Sequence, residues 1–132
     1  MALLAAVIIN MIVGAFWYSP ALFGKAWQKF IGKTDKQLSE TAKGAYIYAI
    51  VMALIQSFVL KHFVTYATVF YPSYSNLEIG LFTGAWVWLG FVATSVGLSY
   101  IFAGRRKKLL LIDAGYHLVV LMINGALLAT WI

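Results

Sequence analysis

Asp113, His117 and Asn124 stand at i, i+4 and i+11 of one apolar run, Leu109 to Trp131. At about 100° per residue they fall within about 40° of one another, so as a helix the run carries them on one face, with Val120 and Trp131. A carboxylate beside an imidazole can exchange protons or hold a solute. The carboxamide of Asn124 adds a neutral donor and acceptor to the same stripe. A full charge inside an apolar segment is costly, which makes Asp113 a functional candidate. Two readings stay open for the pair. In one, Asp113 and His117 face a polar pathway or pocket. In the other, they form interhelical hydrogen bonds that fix packing, each worth about 0.6 kcal/mol. Asp113 could also pair with Arg105 or Lys108 near the end of the run.

The elements that must position these groups are four apolar runs: Ala2 to Tyr18, Gly44 to Thr65, Ile79 to Phe102 and Leu109 to Trp131. Only Lys61 and Asp113 place a full charge inside any of them. A hydrocarbon core of ~30 Å needs roughly 20 residues of helix, and 63% of the chain is hydrophobic against 11% charged. These observations predict an all-α membrane protein: one domain over residues 1–132, four transmembrane helices and a short interfacial helix. With a rise of about 1.5 Å per residue, Asp113 lies roughly 6 Å and His117 roughly 12 Å from the start of their span. Tyr48, Ser95 and Ser99 project to similar depths, giving an expected inner polar layer. Asn10, Gln56 and Asn124 fall roughly 10–14 Å from the opposite edge and give an expected neutral layer. The binding candidates are therefore Asp113, His117, Asn124, Asn10, Gln56, Tyr48 and Ser95.

Charge sets the orientation. The first connection carries Lys25, Lys29, Lys33, Lys36 and Lys43, and the third carries Arg105, Arg106, Lys107 and Lys108. The second, Tyr66 to Asn76, has no basic residue. The positive-inside rule places connections one and three in the cytoplasm and both termini outside. Arg105 to Lys108 is expected to meet anionic lipid headgroups. Lys61 and His62 are expected to snorkel to the outer interface, where Glu78 could pair with Lys61. Met1 to Val13 reads as a retained span, since no Lys or Arg precedes it and Phe16 to Pro20 is no small-residue cleavage site. Within the first connection, Ser19-Pro20 offers a cap and a first helical position. Leu22, Phe23, Ala26, Trp27, Phe30 and Ile31 then mark the apolar face of an interfacial helix ended by Gly32. Thr34 to Gln37 has capping-box spacing, so a further helix should start there and run into the second span.

Gly80 and Gly84, then Ala93 and Gly97, stand four apart, while Gly90, Gly97 and Gly104 recur every seven residues. Such spacing lets helices approach closely, either within the chain or between subunits. Four spans bury little interior, so a homo-oligomer is expected. With no cysteine, thiolate metal sites, thiol nucleophiles and iron–sulfur clusters are excluded. His62 and His117 differ in depth by roughly 15 Å, too far to share a haem within one chain. No cofactor is expected. No basic stripe carries interleaved base-reading groups, so nucleic acid is not an expected partner. The leading expectation is a non-enzymatic protein that binds or passes a small solute, ion or lipid. The alternative is a membrane scaffold or partner-binding subunit.

Two stretches carry a resemblance. Phe16-Trp17-Tyr18-Ser19-Pro20-Ala21-Leu22-Phe23-Gly24-Lys25-Ala26-Trp27 resembles the N-terminal signature of the bacterial domain of unknown function 1761 family. Gly90 to Thr94, Gly104-Arg105 and Leu111-Ile112-Asp113-Ala114-Gly115-Tyr116-His117-Leu118-Val119 are similar to its later pattern, in the same order over nearly the whole chain. The resemblance implies a small four-span integral membrane protein of the bacterial inner membrane, without an assigned activity. The family pattern often has asparagine at the position of Asp113, which implies that a permanent carboxylate is not required there.

Overall fold

The computed structural model describes residues 1–131, which fold into five helices. These are α1 (Ala2–Trp17), α2 (Gly24–Ile31), α3 (Asp35–Phe70), α4 (Asn76–Phe102) and α5 (Lys107–Thr130). No strand occurs among the described residues. The helices α3, α4 and α5 are each long and apolar enough to cross a membrane, whereas α1 is a shorter apolar helix of 16 residues.

Local chemistry sets the helix ends. Thr34 and Gln37 form the expected capping box: the Gln37 amide donates to Thr34 Oγ1 at 3.2 Å, and the Thr34 amide donates to Gln37 Oε1 at 2.9 Å. From there α3 runs unbroken for 36 residues, about 54 Å, well beyond a bilayer core. A second capping box starts α4, where the Ser75 amide and hydroxyl both donate to Glu78 Oε2, at 2.9 and 2.7 Å. Glu78 thus caps its own helix rather than reaching for Lys61: its carboxylate accepts from the N-cap Ser75, while the Glu78 amide donates to Ser75 Oγ at 3.3 Å.

Between α1 and α2 the structure departs from expectation. Ser19 does not open α2. Its Oγ donates back to the Phe16 carbonyl at 2.7 Å and closes the end of α1. Residues 19–23 form a tight turn, with the Phe23 amide donating to the Trp17 carbonyl at 3.0 Å and the Gly24 amide to the Ser19 carbonyl at 2.9 Å. Only at Gly24 does α2 begin. A Cβ at Gly24 would overlap the Tyr18 and Ser19 carbonyl groups, so the turn requires glycine.

The helices α4 and α5 make the closest crossing. A Cβ on Gly80 would strike the backbone of Gly125, and one on Gly84 would strike that of Leu121. The small-residue pair of α4 therefore serves packing within the chain. Gly90 and Gly97 meet nothing, and Gly104, with φ 66°, lies in the turn beyond α4, so the seven-residue spacing makes no packing stripe within the chain. Around the crossing, α1, α3 and α5 bury Ala2, Ala6, Leu60, Val64, Leu121, Leu128 and Ala129 as the core. From Lys43 to Met52, in contrast, α3 is exposed all round, with Tyr46, Ile47 and Ile50 standing out from the bundle.

Midway, α4 widens into a π-helical turn over Trp88–Ala93. Such a turn accommodates an extra residue and rotates everything that follows. Its consequence falls on the polar layer.

Candidate functional site

Asp113 lies half-buried in the second turn of α5, and its carboxylate receives a phenol from each of two other helices. Tyr18, the residue that ends α1, donates to Oδ1 at 2.7 Å, and Tyr100 of α4 donates to Oδ2. The carbonyls on either side of Asp113 are also engaged. The Trp17 indole donates to the Ile112 carbonyl at 2.9 Å, and the Trp88 indole donates to the Ala114 carbonyl at 2.8 Å. Helix carbonyls keep a second lone pair beyond their own ladder bond, so both indoles bind without breaking α5. Gly115 makes room for the first of them: a Cβ there would stand 3.1 Å from Trp17 Cζ2.

One turn deeper, the Tyr116 hydroxyl donates to the Asn10 carbonyl at 3.1 Å. Two turns beyond, Asn124 Nδ2 donates to the Ala6 carbonyl at 3.2 Å, the same carbonyl that accepts from Asn10 Nδ2 at 3.0 Å. Polar contacts therefore run as a strip along the antiparallel α1–α5 seam, with α4 joining at Asp113. The neutral pair Asn10 and Asn124 is brought together and buried, at 5% and 1% exposure. Gln56 lies half-buried on α3. His117 is half-buried, its ring edge-on to Tyr116 at 5.1 Å between centroids.

Three expected members of the inner layer lie elsewhere. Tyr48 is 69% exposed on the free part of α3, because α3 diverges from the bundle at that level. Ser95 is exposed, as is Ser99, and the wide turn in α4 explains both. Counted from Trp88 at 3.6 residues per turn, positions 95 and 99 return to the bundle face. With one extra residue accommodated, positions 96 and 100 replace them, and Tyr100 reaches Asp113 instead. Nor does Asp113 take Arg105 as its direct partner. The Arg105 guanidinium sits over the Tyr100 ring, 5.3 Å from its centroid, one residue removed from the carboxylate. The residues missed in the sequence are Trp17, Tyr18, Trp88, Tyr100 and Tyr116. Their signal was chemical: aromatic rings with an N–H or O–H that enter a bundle need acceptors.

The aromatic contacts continue onto α2. Trp17 packs on Phe23 at 4.8 Å and Tyr18 on Trp27 at 5.4 Å, so the same residues that grip α5 at Ile112 and Asp113 also seat the short helix α2. Arg106, at the cap of α5, lies over Phe30 at 5.5 Å. The two stretches singled out in the sequence, Phe16 to Trp27 and Leu111 to Val119, are thus one structural unit. The chain matches the family model described as Protein of unknown function (DUF1761) over residues 1–129, and it belongs to that family. No curated protein and no solved structure matches it.

Proposed function

We propose that this is a non-catalytic integral membrane protein with four spans, α1, α3, α4 and α5, in which the polar strip is a clamp and the function is to present a rigid cytoplasmic surface. The lysine-rich turns lie on the cytoplasmic side, as the positive-inside rule places them, with both termini opposite. The observation that carries this reading is the pattern of donors around Asp113. Tyr18, Tyr100, Trp17 and Trp88 each direct their hydrogen to α5, and Tyr116 and Asn124 direct theirs to α1. A solute pathway needs polar groups turned to a lumen. Here they join helix to helix, and between Asn124 and the chain end the seam is filled by Leu128 and Ala129. The clamp also seats α2, which lies in the interface, and the turn leading into it leaves Leu22 and Phe23 exposed.

A second reading, binding of one small polar solute or ion inside the bundle, is favoured by one specific observation. Ser57 Oγ and Asn124 Oδ1 are buried without a hydrogen-bond partner. Both flank the core shared by α1, α3 and α5, Ser57 one turn from Leu60 and Asn124 one turn from Leu121 and Leu128. Buried polar atoms of this kind call for a small partner such as water.

Reconstitution into liposomes tests the clamp against a solute pathway. The clamp predicts that fluxes of protons, alkali cations and small amines through protein-containing vesicles equal those of empty vesicles. A flux carried by the native protein and abolished in Asp113→Asn would overturn it.

A further inference from the structure

At the junction of α2 and α3 the chain forms a shallow recess of about 410 Å³ lined by Lys25, Gln28, Lys29, Gly32, Lys33 and Thr34. Lys25 and Lys29 stand one turn apart on α2, on the same side. Gly32 turns the chain with φ 69°, a left-handed conformation that ends α2 and brings Lys33 round. Gln28 fixes this elbow. Its Nε2 donates to the Lys33 carbonyl at 3.1 Å and to Asp35 Oδ1 at 2.8 Å. The one acidic side chain of the elbow is therefore held by an amide rather than by a lysine. Residues 24–36 carry four lysines and one aspartate. Thr34, on the rim, is the N-cap of the 36-residue α3, whose positive dipole end adds to the lysines. Within its capping box, the Gln37 and Leu38 amides are bonded to Thr34.

We propose that this recess binds a phosphate group. The ligand chemistry is a tetrahedral oxyanion held by the ammonium groups of Lys25, Lys29 and Lys33, with Thr34 on the rim. Three lysines lining one concavity suit a multiply accepting anion better than a carboxylate, which offers fewer oxygens in one plane. The phosphate has two sources: the headgroup of an anionic phospholipid, or a free phosphate compound of the cytoplasm. The first source rests on the membrane placement of α2 proposed above. The second does not.

Native mass spectrometry of the detergent-purified full chain tests it, using phosphatidylglycerol, phosphatidylcholine and inorganic phosphate as probes. The native chain is expected to retain phosphatidylglycerol in preference to phosphatidylcholine, or else to bind inorganic phosphate directly. Retention that excess inorganic phosphate does not displace identifies the lipid source. Binding of phosphate alone identifies the soluble one. In either case Lys29→Gln/Lys33→Gln should weaken binding roughly thirtyfold, about fivefold per lysine removed, with an unchanged thermal midpoint. Lys107→Gln/Lys108→Gln removes the same charge outside the recess and should weaken it far less. Equal losses for the two double variants, or no binding of either phosphate probe by the native chain, would overturn the proposal. Failure of the lipid arm with binding of inorganic phosphate would count against the membrane placement of α2 while leaving the recess intact.

Discussion

Tyr18 and Asp113 are 95 residues apart in the chain and joined by a 2.7 Å hydrogen bond from phenol to carboxylate. With the Trp17 bond to the Ile112 carbonyl at 2.9 Å, this contact fastens the end of α1 to the second turn of α5. Tyr100 closes the other side of the carboxylate. A hydrogen bond to a charged group contributes about 1.5–3 kcal/mol, and a buried donor left without an acceptor costs about 1–3 kcal/mol.

Replacing the carboxylate should therefore be graded. Asp113→Asn keeps one acceptor oxygen and turns an NH₂ toward the second tyrosine, and should lower stability by about 1–2 kcal/mol. Asp113→Leu leaves both phenols without an acceptor and should cost about twice as much. Thermal unfolding in detergent micelles checks the order. Equal effects for the two variants would argue that the carboxylate is not a shared acceptor.

The glycines of α4 should divide by position. Gly84→Ala places a Cβ against the Leu121 backbone, and the α4–α5 crossing must open, with a loss of about 3 kcal/mol or more. Gly97→Ala meets nothing within 4 Å and should stabilise the helix by roughly 0.5–1 kcal/mol. The same unfolding measurement reads both, and opposite signs are the expected result.

At the turn between α1 and α2, Gly24→Ala should detach α2, because its Cβ would overlap the Ser19 carbonyl group. Trp27 would then lose its packing on Tyr18. Its fluorescence should shift to the red and become more accessible to quencher, while helix content falls by little more than α2 itself. An unchanged quenching profile would show that the turn is not fixed by Gly24.

Cysteine placed at residue 74 should react with impermeant reagents added to intact cells, and cysteine at residue 106 should not. The opposite pattern would invert the orientation proposed from the lysine-rich turns.

Much of the architecture was legible because it follows from local chemistry. The long apolar runs announced the helices, and Thr34 with Gln37 announced the start of α3. The close approach at Gly80 and Gly84 was visible in their spacing, although whether it lay within or between chains was not. The neutral pair Asn10 and Asn124 could be matched by depth alone, since both sit within unbroken α-helix. Depth failed for Ser95 because it assumes one residue per 100° throughout, and the wide turn at Trp88–Ala93 breaks that assumption. It failed for Tyr48 because helical projection gives a height and a face but not whether a neighbour stands there. The aromatic donors escaped because Trp and Tyr near span ends are ordinarily read as interfacial belts. Only the fold shows that Trp17 and Tyr18 point inward to α5. Ser19 misled for a related reason. The same residue type caps a following helix or closes a preceding one, and Gly24, five residues on, decided between them.

A double-mutant cycle between Tyr18→Phe and Asp113→Asn, read by thermal unfolding of the native chain and its three variants, tests the clamp most directly. The account predicts a coupling of about 0.5–1.5 kcal/mol, in the range of residues sharing one hydrogen-bond network. Additive losses within about 0.3 kcal/mol would show that the two side chains act independently and would contradict it.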